Sequence, residues 1–171
     1  TYHHQAFVYF ANYAPGTPGR AEHLKDKADL LAALADGTLP AVAWYKPLDV
    51  YTENAGEGPM IEAEKRVIEL LEAVERSAVW PRTAVIITYD DFGGWFDHVP
   101  PPVVDRFGPS SRVPAILVSP WAKRGFVDQT PYETVSILRF LEWRFGLEPL
   151  SARDAKANNL LPAFDFSRRG A

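Results

Sequence analysis

Two adjacent aspartates, Asp90 and Asp91, directly follow the apolar, β-branched stretch TAVIITY. Two carboxylates at one point repel each other unless a cation or a shared proton lies between them. Gly93 and Gly94 come soon after, and glycine permits a turn that lets both acids contribute to one site. Oxygen ligands suit Ca²⁺, Mg²⁺ or Mn²⁺, and an added imidazole from His98 would suit Zn²⁺ as well. The pattern therefore predicts a divalent-metal site and leaves the identity of the metal open.

The same stretch also fits a simpler interpretation. The letters DDFGG are good turn sequence, and acids at a strand end are commonly solvated. The Asp97–His98 pair that follows could equally cap or brace its loop. The aromatic residues Phe92, Trp95 and Phe96 could line a ligand pocket, but packing is favoured because aromatic side chains bury large areas.

Strands and helices alternate along the chain that must position these residues. Apolar runs predict strands at 41–45, 83–88 and 112–120, and a strand or buried segment at 6–10. Caps and helical periodicity predict helices at 26–37, 60–77 and 131–146, followed by an irregular tail. Strands that are apolar throughout are typical of an α/β fold with a mostly parallel central sheet and helices on both faces. Ligands of such sheets bind beyond the carboxyl ends of the strands, where the two aspartates lie.

Length and composition limit the classes of function. A chain of 171 residues suits a single domain over 1–171. The net charge is −4 and the basic residues form no block, so we expect no nucleic-acid partner. The absence of cysteine excludes disulfides, thiolate zinc sites and a cysteine nucleophile. No stretch is long and apolar enough for a transmembrane segment, and no signal peptide is visible. Since the first residue is Thr1, we expect a processed or shortened chain.

Three segments together resemble a known family over nearly the whole chain. They are YDDFGGWFDHVPPP, RVPAILVSPWAKRGFVDQTPYETVSILRFLEWRFGL and YHHQAFVYFANYAPGTPGRAEHLKD. They resemble the bacterial phosphoesterase family of acid phosphatases and non-haemolytic phospholipases C, within the alkaline-phosphatase-like superfamily. The resemblance implies the C-terminal part of an alkaline-phosphatase-like domain, whose N-terminal half would be its partner. It also implies metal-dependent hydrolysis of a small phosphate ester or a phospholipid headgroup, in the periplasm or outside the cell.

The resemblance also implies roles for individual residues. Asp90 and Asp91 match the adjacent acids that bind the metal. One of His3 and His4, with His4 favoured, matches the histidine that contacts the substrate phosphate. His98 matches the histidine after the double glycine and would either bind metal or brace the loop. In the superfamily a hydroxyl attacks phosphorus and water then releases the phosphoenzyme.

The sequence departs from the family pattern in the loop after residue 45 and again near residue 129. Where the family usually carries a histidine, this chain reads YTENAGEGP, which places Ala55 at that position and Asn54 or Glu53 beside it. Gln129 stands where the family often has another histidine, and glutamine can hydrogen-bond but cannot carry a proton. We expect Asn54, Gln129 and the Gly93–Gly94 pair to shape the substrate loop.

The expected nucleophile has no convincing counterpart in the chain. Thr88 and Ser119 end strands without a partner base, and Ser136 lies in a predicted helix. The family's early Glu-Asn pair, which completes the metal shell, is likewise without a substitute. The leading hypothesis is a metal-dependent phosphoesterase, most like phospholipase C, whose 171-residue chain is incomplete by itself. The alternatives are a catalytically silent relative that binds a phosphorylated or lipid ligand, and a plain structural domain.

Overall fold

A computed structural model describes residues 4–167 of the chain. These residues form two compact units. The first unit holds the described residues up to Trp80 together with Gly93–Trp95. The second holds Pro81–Phe92 and the described residues from Phe96 onward. The sequence-based prediction of a single domain over 1–171 stays a prediction.

The first unit is helical. Its α-helices are α1 (Pro18–His23), α2 (Lys27–Asp36) and α3 (Met60–Arg76), and it has 3₁₀ turns at Ala6–Tyr9, Ala11–Tyr13 and Asp49–Tyr51.

Local sequence explains the ends of α2, and helical periodicity explains α3. The Asp29 carboxylate accepts a hydrogen bond from the Asp26 backbone N–H at 2.9 Å, which closes the first turn of α2, and the helix ends at Gly37. The apolar face of α3 contributes Ala63 and Val74 to the core of this unit, where Leu34, Val8 and Val79 are also buried. The helices predicted at 26–37 and 60–77 are therefore confirmed, with ends that differ by one residue.

The strand predicted at 41–45 is wrong, and residues 6–10, predicted as a strand or a buried segment, are neither, since Phe7, Tyr9 and Phe10 are exposed. Residues Ala6–Tyr9 form a 3₁₀ turn, in which Phe10 N–H donates to the Phe7 carbonyl at 3.0 Å. Residues 41–45 belong to no strand or helix. Short apolar and aromatic runs fit several local conformations, so the pattern alone could not select one.

The second unit contains the sheet of the described residues. Strands β1 (Val85–Thr88) and β2 (Ala115–Val118) pair antiparallel, with Val85 opposite Val118 and Thr88 opposite Ala115. The Thr88 hydroxyl donates to the Pro114 carbonyl at 3.0 Å, and the Ser119 hydroxyl donates to the Thr83 carbonyl at 2.8 Å. A 3₁₀ turn at Trp80–Arg82 precedes β1, and α4 (Val135–Phe145), α5 (Ala152–Lys156) and a 3₁₀ turn at Leu161–Ala163 follow β2.

Both strands are shorter than predicted, at 85–88 instead of 83–88 and at 115–118 instead of 112–120, and both are less buried. Among the described residues neither strand is fully covered, since β1 is half-buried along its length and Ile116 of β2 is 56% exposed, although apolar strands with helices on both faces were expected. The strand pair within residues 4–167 is antiparallel. A mostly parallel central sheet stays a prediction. An uninterrupted apolar run does not carry strand direction, and an antiparallel pair is common in mixed sheets.

Helices α4 and α5 bury polar groups. The Asp154 carboxylate accepts hydrogen bonds from the Leu150 N–H at 2.7 Å and from the Ser151 hydroxyl, which caps α5. These bonds, above all the one from Ser151, lower the pKa of Asp154 to about 2. The α4 residue Glu142 is buried, and burial, with the neighbouring Asp154 second, raises the pKa of its carboxyl group. Helix α5 was missed from the sequence because it is only five residues long.

Helix α4 starts four residues later than the predicted 131. Just before the helix, the Glu133 N–H donates a hydrogen bond to the hydroxyl of Ser136, in the first turn of α4, at 3.1 Å. Among residues 4–167, no helix has the length and apolar character that crossing a bilayer requires.

Candidate functional site

Asp90 and Asp91 lie directly beyond the end of β1. The strand ends at Thr88, and the two aspartates form a bend after Tyr89 in which both are exposed. Within residues 4–167, no group of three or more histidine, aspartate or glutamate side chains is arranged to hold a metal ion. The two carboxylates match the oxygen ligands that Ca²⁺, Mg²⁺ and Mn²⁺ prefer, so by chemistry they fit part of a coordination shell.

In the first unit, the double glycine meets the loop that carries Asn54. The Ala55 backbone N–H donates to the Gly93 carbonyl at 3.0 Å, and the Trp95 indole N–H donates to the Glu53 carbonyl at 2.8 Å. These residues are about forty positions apart in the chain. The structure thus brings together Asn54, Gly93 and their neighbours, which the sequence analysis had placed in one substrate loop without evidence of contact.

Two features favour glycine at position 93. Its φ of +58° lies in the left-handed region, which residues other than glycine rarely adopt. A Cβ added there would lie 2.8 Å from the Asn54 Oδ1 atom, closer than two such atoms normally approach. The glycine therefore lets the backbone approach the Asn54 amide directly. At Gly94 an added Cβ would meet Ala55 Cβ at 3.7 Å, an ordinary contact.

His4 lies beside a carboxylate in the same unit. Its Nδ1 is 3.2 Å from Asp49 Oδ1, and Asp49 is held in the 3₁₀ turn Asp49–Tyr51. A carboxylate beside Nδ1 holds an imidazole ring in one orientation. That is a suitable arrangement for a histidine that donates a hydrogen bond to a phosphate. His3, the other histidine considered for this role, lies outside the described residues.

In the second unit, His98 lines a shallow depression of about 490 Å³ together with Phe96, Asp97 and Arg112. The Asp97 carboxylate organises this loop. Arg112 donates to it from Nη2 at 2.8 Å and from Nε at 2.9 Å, and the backbone N–H groups of Val99 and Arg112 donate at 3.0 and 3.1 Å.

The hydrogen bonds from Arg112, followed by that from Val99, hold the pKa of Asp97 well below its usual range. The Asp97 carboxylate is therefore anionic and holds the backbone at Val99 and at Arg112. It is the residue next to His98. Sequence reasoning missed Arg112, because an arginine fifteen residues away in the chain gives no local signal of the pairing.

The remaining predicted residues are Gln129 and the aromatic residues near the two aspartates. Gln129 is exposed in a turn whose backbone is held by Asp128, which accepts a hydrogen bond from the Thr130 N–H at 2.9 Å. Phe92, Trp95 and Phe96 are all exposed. Of these three, Trp95 anchors its loop through the indole N–H and Phe96 lines the depression beside His98.

Comparison with known proteins gives the family. The model of the Phosphoesterase family matches residues 1–148, most of the chain. The chain belongs to the phosphoesterase family. The resemblance found in the sequence is therefore confirmed.

Phospholipases C are among the relatives of this phosphoesterase. It is 35% identical over 79% of its length to the hemolytic phospholipase C of Pseudomonas aeruginosa, covering 22% of that protein. It is 30% identical over 97% of its length to the non-hemolytic phospholipase C of Burkholderia pseudomallei, covering 30% of that protein. Against the non-specific phospholipase C3 of Arabidopsis thaliana, the identity is 33% over 59% of the chain and 24% of the relative. The chain thus spans between a fifth and a third of the length of these relatives.

Proposed function

We propose that this chain is part of a metal-dependent phosphoesterase of the phospholipase C type that hydrolyses phosphate monoesters or diesters. The observation that carries the proposal is the match to the Phosphoesterase family across residues 1–148, with phospholipases C among the relatives. The placement of Asp90 and Asp91 directly after β1 supports it. We further propose that residues 1–171 form the C-terminal part of one alkaline-phosphatase-like domain with a mostly parallel sheet, and that the protein is periplasmic or secreted.

Asp90 and Asp91 would hold the divalent cation, which is Ca²⁺, Mg²⁺ or Mn²⁺ if oxygen ligands complete the shell, or Zn²⁺ if His98 joins them. When bound, such a cation supplies Lewis-acid polarisation of a phosphoryl oxygen. Two carboxylates supply only some of the ligands that such a cation needs, so other groups would complete the shell.

The other roles belong to groups that bind and orient the phosphate. His4, oriented by Asp49, would donate a hydrogen bond to a phosphate oxygen and stabilise charge that develops there. The Asn54 amide, seated against Gly93, would fix the position of the substrate loop. Gln129 can donate a further hydrogen bond without taking up a proton. The hydroxyl nucleophile is supplied from outside this set of residues.

The direct test is hydrolysis of p-nitrophenyl phosphate and of phosphatidylcholine by the full-length protein with added divalent metal. Asp90→Asn keeps the size of the side chain but removes a charged ligand, so we expect kcat/KM to fall by roughly two orders of magnitude or more. Asp36→Asn, at the exposed end of α2, is the matched control and should leave the rate unchanged. Full activity in Asp90→Asn would contradict the metal-binding role.

A catalytically silent relative is the second candidate, and the contact at Ala55 favours it. The backbone of Ala55 is held on Gly93, so the position read as a histidine in the family pattern carries only a methyl group. Calorimetry of the full-length protein with inorganic phosphate and with Mn²⁺ separates the two candidates. Binding without turnover of either substrate supports the silent relative, and turnover excludes it.

A further inference from the structure

Three strongly exposed apolar side chains of the second unit lie close together in the chain, in the surface segment 103–108. Val103 is 98% exposed, Val104 is 61% exposed and Phe107 is 75% exposed. Scattered single apolar residues are ordinary on a protein surface, but a contiguous apolar patch indicates an interaction site. This turn carries three such side chains within five positions of the chain.

The part of this segment that carries Phe107, Asp105–Gly108, is fixed in its conformation by hydrogen bonds and ion pairs. Asp105 and Gly108 form an isolated β-bridge, and the Phe107 N–H donates to Asp105 Oδ1 at 2.8 Å. From outside the turn, Arg153 Nη1 donates to both Asp105 oxygens at 3.2 Å, while its Nε donates to Glu133 at 2.7 Å. An apolar tip held in place by an ion-paired base loses little conformational entropy when it binds.

The charge at the tip is positive. Arg106 lies with its guanidinium carbon 4.5 Å from the centroid of the Phe107 ring. Asp105, the acidic residue of the turn, has its charge paired with Arg153, so the guanidinium of Arg106 is the charge next to the exposed ring. Aromatic and aliphatic groups beside an arginine match a lipid interface, where rings enter the acyl boundary and guanidinium groups pair with phosphates.

We propose that the 103–108 turn docks the protein on a phospholipid bilayer. Val103, Val104 and Phe107 enter the boundary between headgroups and acyl chains, and Arg106 pairs with lipid phosphates. The inference rests on the proposed function, because a phospholipase must take its substrate from a bilayer. With a chain net charge of −4, the contact is local and mainly apolar, so zwitterionic phosphatidylcholine is sufficient as the partner.

The binding test uses the full-length protein and sedimentation with phosphatidylcholine vesicles. Phe107→Asp and Val103→Asp should each weaken vesicle binding by about tenfold to a hundredfold, the factor that corresponds to burying one large apolar side chain. Both side chains are exposed, so neither change opens a cavity in a core. The matched control is Ile61→Asp on α3, where the side chain is 65% exposed, and it should bind vesicles as the unmodified protein does. Arg106→Gln should also weaken vesicle binding, and the loss should be larger on vesicles that contain anionic lipid than on pure phosphatidylcholine.

A kinetic comparison separates this inference from the proposed function. Phe107→Asp should hydrolyse a short-chain phosphatidylcholine dissolved as monomers at the normal rate and lose at least tenfold in rate on vesicles. Equal vesicle binding by Phe107→Asp and Ile61→Asp would overturn the docking inference, even if monomers are still hydrolysed. A fall in the unfolding temperature of Phe107→Asp with unchanged vesicle binding would overturn it too, because the turn would then be covered by another part of the polypeptide. If the unmodified full-length protein hydrolyses neither monomers nor vesicles, the proposed function is refuted. The vesicle-binding measurement still decides the docking role in that case.

Discussion

Replacing Gly93 by alanine tests whether the contact with Asn54 shapes the substrate loop. At a φ of +58°, alanine costs about 1–2 kcal/mol relative to its preferred conformations. The smaller entropy of the unfolded chain offsets about 0.4–1 kcal/mol of this, which leaves a loss of about 1 kcal/mol. The new Cβ would also lie 2.8 Å from Asn54 Oδ1 and displace that side chain, for about 1 kcal/mol more.

Gly125→Ala is the matched control for this change. Gly125 has the same φ of +58°, and an added Cβ there would meet nothing within 4 Å. It should therefore show the backbone loss of about 1 kcal/mol alone, while Gly93→Ala loses about 2 kcal/mol. Urea unfolding of the full-length protein, followed by tryptophan fluorescence, measures both free energies.

Activity provides the second readout. If Asn54 positions the substrate loop, Gly93→Ala should lower kcat/KM for p-nitrophenyl phosphate several-fold, and Gly125→Ala should leave it unchanged. Equal losses of stability in the two variants, with equal activity, would refute the argument, because the close approach to Asn54 would then have no effect.

Three further predictions concern charge and completeness. The lowered pKa of Asp97 means that its carboxylate stabilises the fold above the unfolded pKa, so the stability advantage over Asp97→Asn should be constant above about pH 5 and shrink in thermal melts as the pH falls. The raised pKa of Glu142 has the opposite sign: its contribution is complete below about pH 4 and is lost as the pH rises, so Glu142→Gln should gain in melting temperature relative to the unmodified protein between pH 4 and 7. The 171-residue chain by itself should turn over p-nitrophenyl phosphate several orders of magnitude more slowly than the full-length protein, and comparable rates would show that the nucleophile lies within it.

Local signals predicted helices α2 and α3 well. The caps at Asp26 and Gly37 bounded α2, and the periodicity of α3 reached its observed end within one residue. Residues 6–10 and 41–45 were assigned wrongly because a short apolar run takes its conformation from what packs against it. The direction of the β1–β2 pair was not predictable for the same reason, since strands carry no mark of their neighbours' orientation.

The candidate site divides in the same way. The position of Asp90 and Asp91 after a strand followed from residues adjacent in the chain, and β1 ends where that reading requires. The seat of Asn54 on Gly93 and the pairing of Asp97 with Arg112 join residues that are 39 and 15 positions apart. Such contacts depend on the folded path of the chain, which no local pattern contains. Sequence patterns can name the participants, but the partners come from the fold.

The two hydroxyl groups at opposite ends of the β1–β2 ladder bear on where a reactive oxygen can be sought. Thr88 and Ser119 each direct their proton to a main-chain carbonyl, toward Pro114 and Thr83 respectively. Each hydroxyl links the two strand segments by this hydrogen bond, and it would have to break the bond before its oxygen could attack an electrophile. A covalent phosphorylating reagent should therefore leave both side chains unlabelled while the strands remain paired.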